Sequence, residues 1–139
     1  MIVLDTNVIS EVMKTAPHER VQQWLDSRVA DTLYVSTVNI AEIMIGIELL
    51  PDGNRKNRLR ELLEQITERF FRGRVLEFDV AGAKTMAVLN RSAVSKGHNI
   101  LSADCQIAAI AAVHGFAVAT RDEAPFRAAG VPVINPWTA

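Results

Sequence analysis

Ile2-Val3-Leu4-Asp5-Thr6-Asn7 opens the chain with a short apolar run that stops at an acid. Near the other end, Ala117-Val118-Ala119-Thr120-Arg121-Asp122 has the same form. An apolar run of this length, bounded in this way, reads as a parallel strand buried on both faces, with a carboxylate at its C-terminal end. In open α/β sheets that edge is where ligands bind. If these two strands are neighbours, Asp5 and Asp122 stand on adjacent strand ends.

Working outward, the pattern alternates between helical and extended periods. Thr6 to Met13 reads as a short helix, and Pro17 opens another that runs to about Val29, with Val21, Trp24, Leu25 and Val29 on one face. Leu33 to Val35 is a second strand. Ser36 or Thr37 caps a helix through Leu50 whose apolar positions are Ile40, Ile43, Met44 and Ile47. After the turn Pro51-Asp52-Gly53, Asn54 caps a charged helix with Leu59, Leu62, Leu63, Ile66 and Phe70 as its buried stripe. Gly73 ends it, and Val75 to Phe78 is a third strand. A helix from about Val80 to Lys96 stops at Gly97, and an alanine-rich helix from Ala103 to His114 stops at Gly115. The strand Ala117 to Ala119, a short helix near Phe126 and a last strand around Val131 to Ile134 complete the chain. The expected class is α/β with three layers, a central, mostly parallel twisted sheet of four to five strands carrying helices on both faces.

Composition narrows the function. The 139 residues are 49% hydrophobic and 22% charged, as in a globular domain. The net charge of −1 and pI near 6.3 give no overall positive field. A protein that stores nucleic acid by phosphate neutralisation is usually basic, so action on nucleic acid here implies turnover at a site. One cysteine, Cys105, excludes an internal disulfide and a multi-cysteine zinc site. There is no basic leader and no apolar run of about 18 residues. The expected location is the cytoplasm, without membrane contact.

Four carboxylates carry the chemistry. Taken singly, each has an ordinary role. Asp5 and Asp122 suit helix caps, Asp104 would favour a helix dipole, and Glu42 would sit on a solvated helix face. Taken together they point elsewhere. Ser36 as a cap puts Glu42 in the second turn of its helix, and Asp104 opens the alanine-rich helix, so both lie near the sheet edge that holds Asp5 and Asp122. Two carboxylates about 5 Å apart repel by roughly 3 kcal/mol at an effective dielectric near 20, so such a group calls for a counter-cation. Oxygen-only ligands with room for water favour Mg²⁺ or Mn²⁺ over zinc. Thr6, Asn7 and Thr120 supply neutral groups that could orient carboxylates or waters. Arg121 is either a phosphate contact or an ion-pair partner of Asp122 or Glu123.

Leu4-Asp5-Thr6-Asn7, Ala41-Glu42, Ser102-Ala103-Asp104 through Ile107-Ala108-Ala109, and Ala119-Thr120-Arg121-Asp122 together resemble the motifs of PIN-domain ribonucleases. The length and the motif at the very start resemble the VapC toxins of bacterial toxin–antitoxin pairs. The run Leu4 to Glu11 and the ending Asn135-Pro136-Trp137 resemble the FitB-type subgroup. The resemblance covers essentially residues 1–139 as a single PIN domain. It implies a catalytic and metal-binding pocket of Asp5, Glu42, Asp104 and Asp122, and Mg²⁺- or Mn²⁺-dependent endonucleolytic cleavage of RNA. It also implies a homodimer and a small antitoxin whose C-terminal segment inhibits the toxin. The antitoxin's other end, commonly a ribbon-helix-helix fold, would bind operator DNA, so that the toxin meets DNA only through it.

Other residues carry less. His18, His98 and His114 follow no ligand spacing, and Cys105 lacks a relay. The cations Arg55, Lys56, Arg58 and Arg60, then Arg69, Arg72 and Arg74, alternate with Glu61, Glu64 and Glu68, as on a solvated face. Trp24 and Trp137 read as packing residues. Two rival functions remain. One is a regulatory binding module whose acid pocket mainly receives a basic antitoxin segment, with weak or absent nuclease activity. The other is a phosphotransfer domain: a haloacid-dehalogenase-like phosphatase wants a second aspartate where Asn7 stands, and a receiver's phosphorylatable Asp and lysine have no clear counterparts.

Overall fold

The computed structural model describes all of residues 1–139. Five strands form one sheet: β1 (Ile2–Leu4), β2 (Leu33–Ser36), β3 (Val75–Leu76), β4 (Ala117–Ala119) and β5 (Val133–Ile134). Their order is β3-β2-β1-β4-β5 and every neighbouring pair is parallel. The chain builds outward from β1 through β2 to β3, then returns to the other side of β1 with β4 and β5. The crevice between β1 and β4 is therefore the topological switch point, where open α/β sheets bind ligands. The two runs that open the sequence reading are these two adjacent strands, with Leu4 in register with Ala119.

Seven helices cover the sheet: α1 (Thr6–Val12), α2 (Glu19–Asp26), α3 (Thr37–Glu48), α4 (Asn54–Gln65), α5 (Val80–Ser95), α6 (Ser102–His114) and α7 (Glu123–Ala129). Alternation along the strands feeds two cores. Ile2 and Leu4 of β1 join Val8, Trp24, Ile43, Ile47 and Leu63 on one face. Val3 joins Val118, Ile107, Ala108 and Phe126 on the other. In α6, Ala108, Ala109 and Ala111 are fully buried, so small side chains let this helix lie close on the sheet.

Several boundaries differ from the sequence reading for local reasons. Helix α2 starts at Glu19, after His18 at the cap, and stops at Asp26, where Ser27 turns its hydroxyl back onto the Trp24 carbonyl at 2.6 Å. Val29, expected on its buried face, lies beyond the helix and is 68% exposed. In α3, Ile43 and Ile47 reach the core one turn apart, which leaves Met44, a neighbour around the helix, on the surface. Gly53, not Asn54, occupies the cap position of α4, with φ of 151°. After α4, a π-helical turn over Ile66–Phe70 advances the register. Phe71 is consequently buried, and the expected Phe70 is exposed. The edge strands β3 and β5 are shorter than expected, and β5 begins only after Pro132.

Three cations of the expected solvated face make specific contacts. Lys56 is buried and its ammonium donates to the Glu48 and Leu50 carbonyls at 2.9 and 3.1 Å, closing the C-terminus of α3. Arg60 pairs with Glu48 at 2.7 Å. Arg74 donates to the backbone carbonyls of Ala30, Leu33 and Phe70. No helix of the structure is long and apolar enough to cross a membrane.

Candidate active site

Asp5 follows β1 and caps α1. Its Oδ1 accepts from the Thr6 amide at 2.8 Å, so the ordinary role of a helix cap is real. Its Oδ2 is committed elsewhere: the Thr120 hydroxyl donates to it at 2.8 Å and Asn7 Nδ2 at 3.3 Å. Thr120 comes directly after β4, so the switch-point crevice is closed by polar groups from both strand ends. Asn7 ties them further. It donates to Thr120 Oγ1 at 3.2 Å and accepts the Arg121 amide at 3.2 Å. The Asp122 amide in turn donates to Thr120 Oγ1 at 3.0 Å, which fixes where the Asp122 backbone lies.

Glu42 enters from α3. The capping box of that helix explains its placement. The Ser36 amide donates to Asn39 Oδ1 at 2.9 Å and the Asn39 amide to Ser36 Oγ at 3.1 Å, both in a fully buried setting. With its oxygen held by Ser36, the Asn39 amide group must point its nitrogen outward, and it donates to Thr6 Oγ1 at 3.1 Å. The Thr6 hydroxyl then donates to Glu42 Oε1 at 2.7 Å. Asn39 was absent from the sequence reading. Its signal is the Ser36-x-x-Asn39 spacing of a capping box, with Asn in place of the usual Glu or Gln.

Asp104 lies in the first turn of α6 and is half-buried, while Asp122 is exposed. The four acids share one field. Burial pushes the Asp5 carboxyl up from 3.8 to about 6, the bonds from Thr120 and Thr6 oppose that rise, and the charges of Asp104 and Glu42 add to it. Burial also raises Asp104, with Glu42 and Asp122 pushing in the same direction. No lysine, arginine or histidine forms an ion pair with any of the four.

The donor chemistry, not a closed cage, is what fits a divalent cation. No three carboxylates close into a ready-made cage. They are, however, mutually repelling oxygen donors with no protein cation among them. Mg²⁺ keeps several waters and needs only one or two direct carboxylates. Such a donor set suits a hydrated hard cation better than a dry one.

Arg121 pairs with neither Asp122 nor Glu123. Its guanidinium stands over the Trp137 ring at 5.4 Å, and Glu123 is taken by Arg127 and Asn135 at 2.6 and 3.0 Å. Trp137 packs against the first core, as a packing residue should. Cys105 is buried, with its sulfur 3.7 Å from the Met86 carbonyl, and none of the three histidines enters the site.

A parallel sheet with acids at its switch point defines a class, and comparison with known proteins names it. The family model for the PIN domain matches residues 2–131. The chain belongs to the PIN-domain family. It is 48% identical to plasmid stability protein StbB of Pseudomonas syringae pv. tomato over the whole of both chains. It is 47% identical to toxin FitB of Neisseria gonorrhoeae over 99% of each chain, and 45% identical to VapC ribonuclease Y4jK of Sinorhizobium fredii over 99% and 98%. Among solved structures, FitAcB from Neisseria gonorrhoeae superposes with a TM-score of 0.94 at 46% identity over the whole of both chains. FitAB bound to an IR36 DNA fragment gives 0.93 at 46% identity, over 99% and 96%.

Proposed function

We propose that this protein is the toxin of a type II toxin–antitoxin pair and acts as a divalent-metal-dependent endoribonuclease. The observation that carries the proposal is Asp5: buried at the switch point, with its carboxyl raised to about 6 and sharing a field with Glu42 and Asp104. The printed names of close relatives, a VapC ribonuclease and toxin FitB, support the same reading.

Asp5, Glu42, Asp104 and Asp122 would hold Mg²⁺ or Mn²⁺. Such an ion, when bound, supplies a more acidic water and neutralises charge on the scissile phosphate. The protein's own groups set the stage. Thr120 and Asn7 hold Asp5 Oδ2 and the Thr6 amide holds Oδ1, while the Thr6 hydroxyl holds Glu42 Oε1 and leaves Oε2 open, so both carboxylates are fixed in orientation. Water attacks phosphorus and gives a proton to a site carboxylate. The P–O3′ bond breaks, leaving a 5′-phosphate and a 3′-hydroxyl protonated from solvent.

The same uncompensated acids would accept a guanidinium, which is how the C-terminal segment of a small cytoplasmic antitoxin would silence the site. That antitoxin, with a ribbon-helix-helix end, would carry the pair to operator DNA. The protein would act as a homodimer, and the exposed Met44 and Ile45 of α3, with Leu49 at its C-terminal cap, offer apolar surface for such pairing. RNA-end sequencing after brief induction tests the function. Wild type should create new 5′-phosphate ends that Asp5→Asn does not, and identical end profiles would overturn the proposal.

A further inference from the structure

A cleft of about 560 Å³ lies between α1, α3 and α4 and opens beside the acid site, because Thr6 and Glu42 form part of its wall. Arg55 and Arg58 of α4 line the opposite side. Both are exposed, and neither takes part in any of the ion pairs of the fold. Lys14 also lines the cleft, but it is paired with the buried Glu11 at 2.9 Å.

The position of the two arginines is unfavourable for the helix itself. They occupy the first turns of α4, which has no acid in its first turn. A cation in the first turn, as Arg55 is, opposes the helix dipole. Their neighbour Lys56 is explained by the carbonyls it caps, but Arg55 and Arg58 have no such partners. Three residues apart on one helix, they share a face, with about 5–6 Å between Cβ atoms. That spacing is close to the interval between successive phosphates of a single strand.

We infer that Arg55 and Arg58 hold the phosphates of a single-stranded RNA next to the scissile position. The inference rests on the proposed nuclease function and assigns its substrate path. Charge order selects RNA over a protein segment. A polyanion would meet acids that would hold a cation at one end of the cleft and two free guanidiniums along its wall. A basic antitoxin segment running along this cleft would meet repulsion from the same arginines, so it would reach the acids from another side. The neighbouring cavity lined by Leu4, Ile9, Val12, Leu25 and Phe71 suits an apolar helix better.

The test uses the full-length protein, a labelled single-stranded 20-nucleotide RNA of mixed sequence and Mn²⁺. The comparison is wild type against Arg55→Gln/Arg58→Gln and Arg55→Lys/Arg58→Lys. Each lost phosphate contact lowers the slope of log K against log salt by about 0.7 for single strands, so the Gln pair should lower it by about 1.4. KM should rise about tenfold, kcat should fall less than threefold, and the Lys pair should keep the salt slope. A Gln pair that cleaves with wild-type KM and salt slope overturns the inference alone. The same result with loss of the co-expressed antitoxin on size exclusion assigns the cleft to the protein partner and also overturns it. A wild type that neither binds nor cleaves RNA overturns the underlying function and the inference with it.

Discussion

The Thr120 hydroxyl donates to Asp5 Oδ2 at 2.8 Å across 115 residues of sequence, joining the ends of two adjacent parallel strands. This bond is the largest of the effects that lower the Asp5 carboxyl. A charge-assisted hydrogen bond is worth about 1.5–3 kcal/mol, which corresponds to about one to two pH units. Thr120→Val keeps the shape and removes the donor. The acid limb of the cleavage pH profile should move upward by about one unit or more, with a stability loss of about 1–3 kcal/mol. An unmoved limb would show that Asp5 ionisation does not govern activity.

The raised Asp5 carboxyl has a consequence for the metal-free fold. Its folded value of about 6 exceeds the ordinary 3.8, so the folded chain holds this proton more tightly than the unfolded chain. Well below pH 3.8 both states are protonated at Asp5, and ionisation costs the fold nothing. As pH rises through 6 the stabilising contribution of the protonated form is lost, amounting to about 3 kcal/mol. Asp104 acts in the same direction. Chemical denaturation in EDTA at pH 4.5 and 7.5 should show Asp5→Asn gaining on wild type as pH rises. Added Mn²⁺ should stabilise wild type at pH 7.5 and Asp5→Asn much less. Parallel pH curves for the two proteins would contradict this.

Asn39 orients Glu42 through Thr6 without reaching solvent. Asn39→Ala should lower kcat about 10–100-fold, as loss of outer-shell partners does in metal sites, with KM little changed. Loss of the capping box should cost about 1 kcal/mol. A kcat within twofold of wild type would mean that Glu42 is held by something other than this relay.

The sequence made the centre of the molecule legible and its periphery less so. β1 and β4 were readable because strands buried on both faces are continuous apolar runs, and their acids then fell on one edge by topology. The glycines Gly73, Gly97 and Gly115 all adopt positive φ, which is why they marked helix ends so well. Phe70 and Phe71 were not separable, because a π-helical turn changes the period that assigns a face. The relay from Ser36 through Asn39 to Glu42 depends on side-chain geometry that spacing alone does not specify. The cations of α4 looked uniform in sequence, yet Lys56 is buried and Arg55 and Arg58 line a cleft.

Lys56 provides a control away from the chemistry. Its ammonium satisfies two carbonyls at the end of α3, and its stem is buried. Lys56→Met retains the stem and removes the donors. Thermal or chemical denaturation should show a loss of about 1–3 kcal/mol, while kcat of the folded fraction stays at the wild-type level. A loss of activity without loss of stability would give Lys56 a role in catalysis.

The central claim is that four carboxylates at the switch point hold a cation that drives RNA cleavage. The most direct measurement is cleavage of RNA by the purified protein with Mn²⁺, with EDTA, and with Asp5→Asn or Asp104→Asn. Cleavage that needs Mn²⁺ and disappears in both well-folded variants is the predicted result. Cleavage that persists in EDTA, or in a well-folded Asp5→Asn protein, would contradict it.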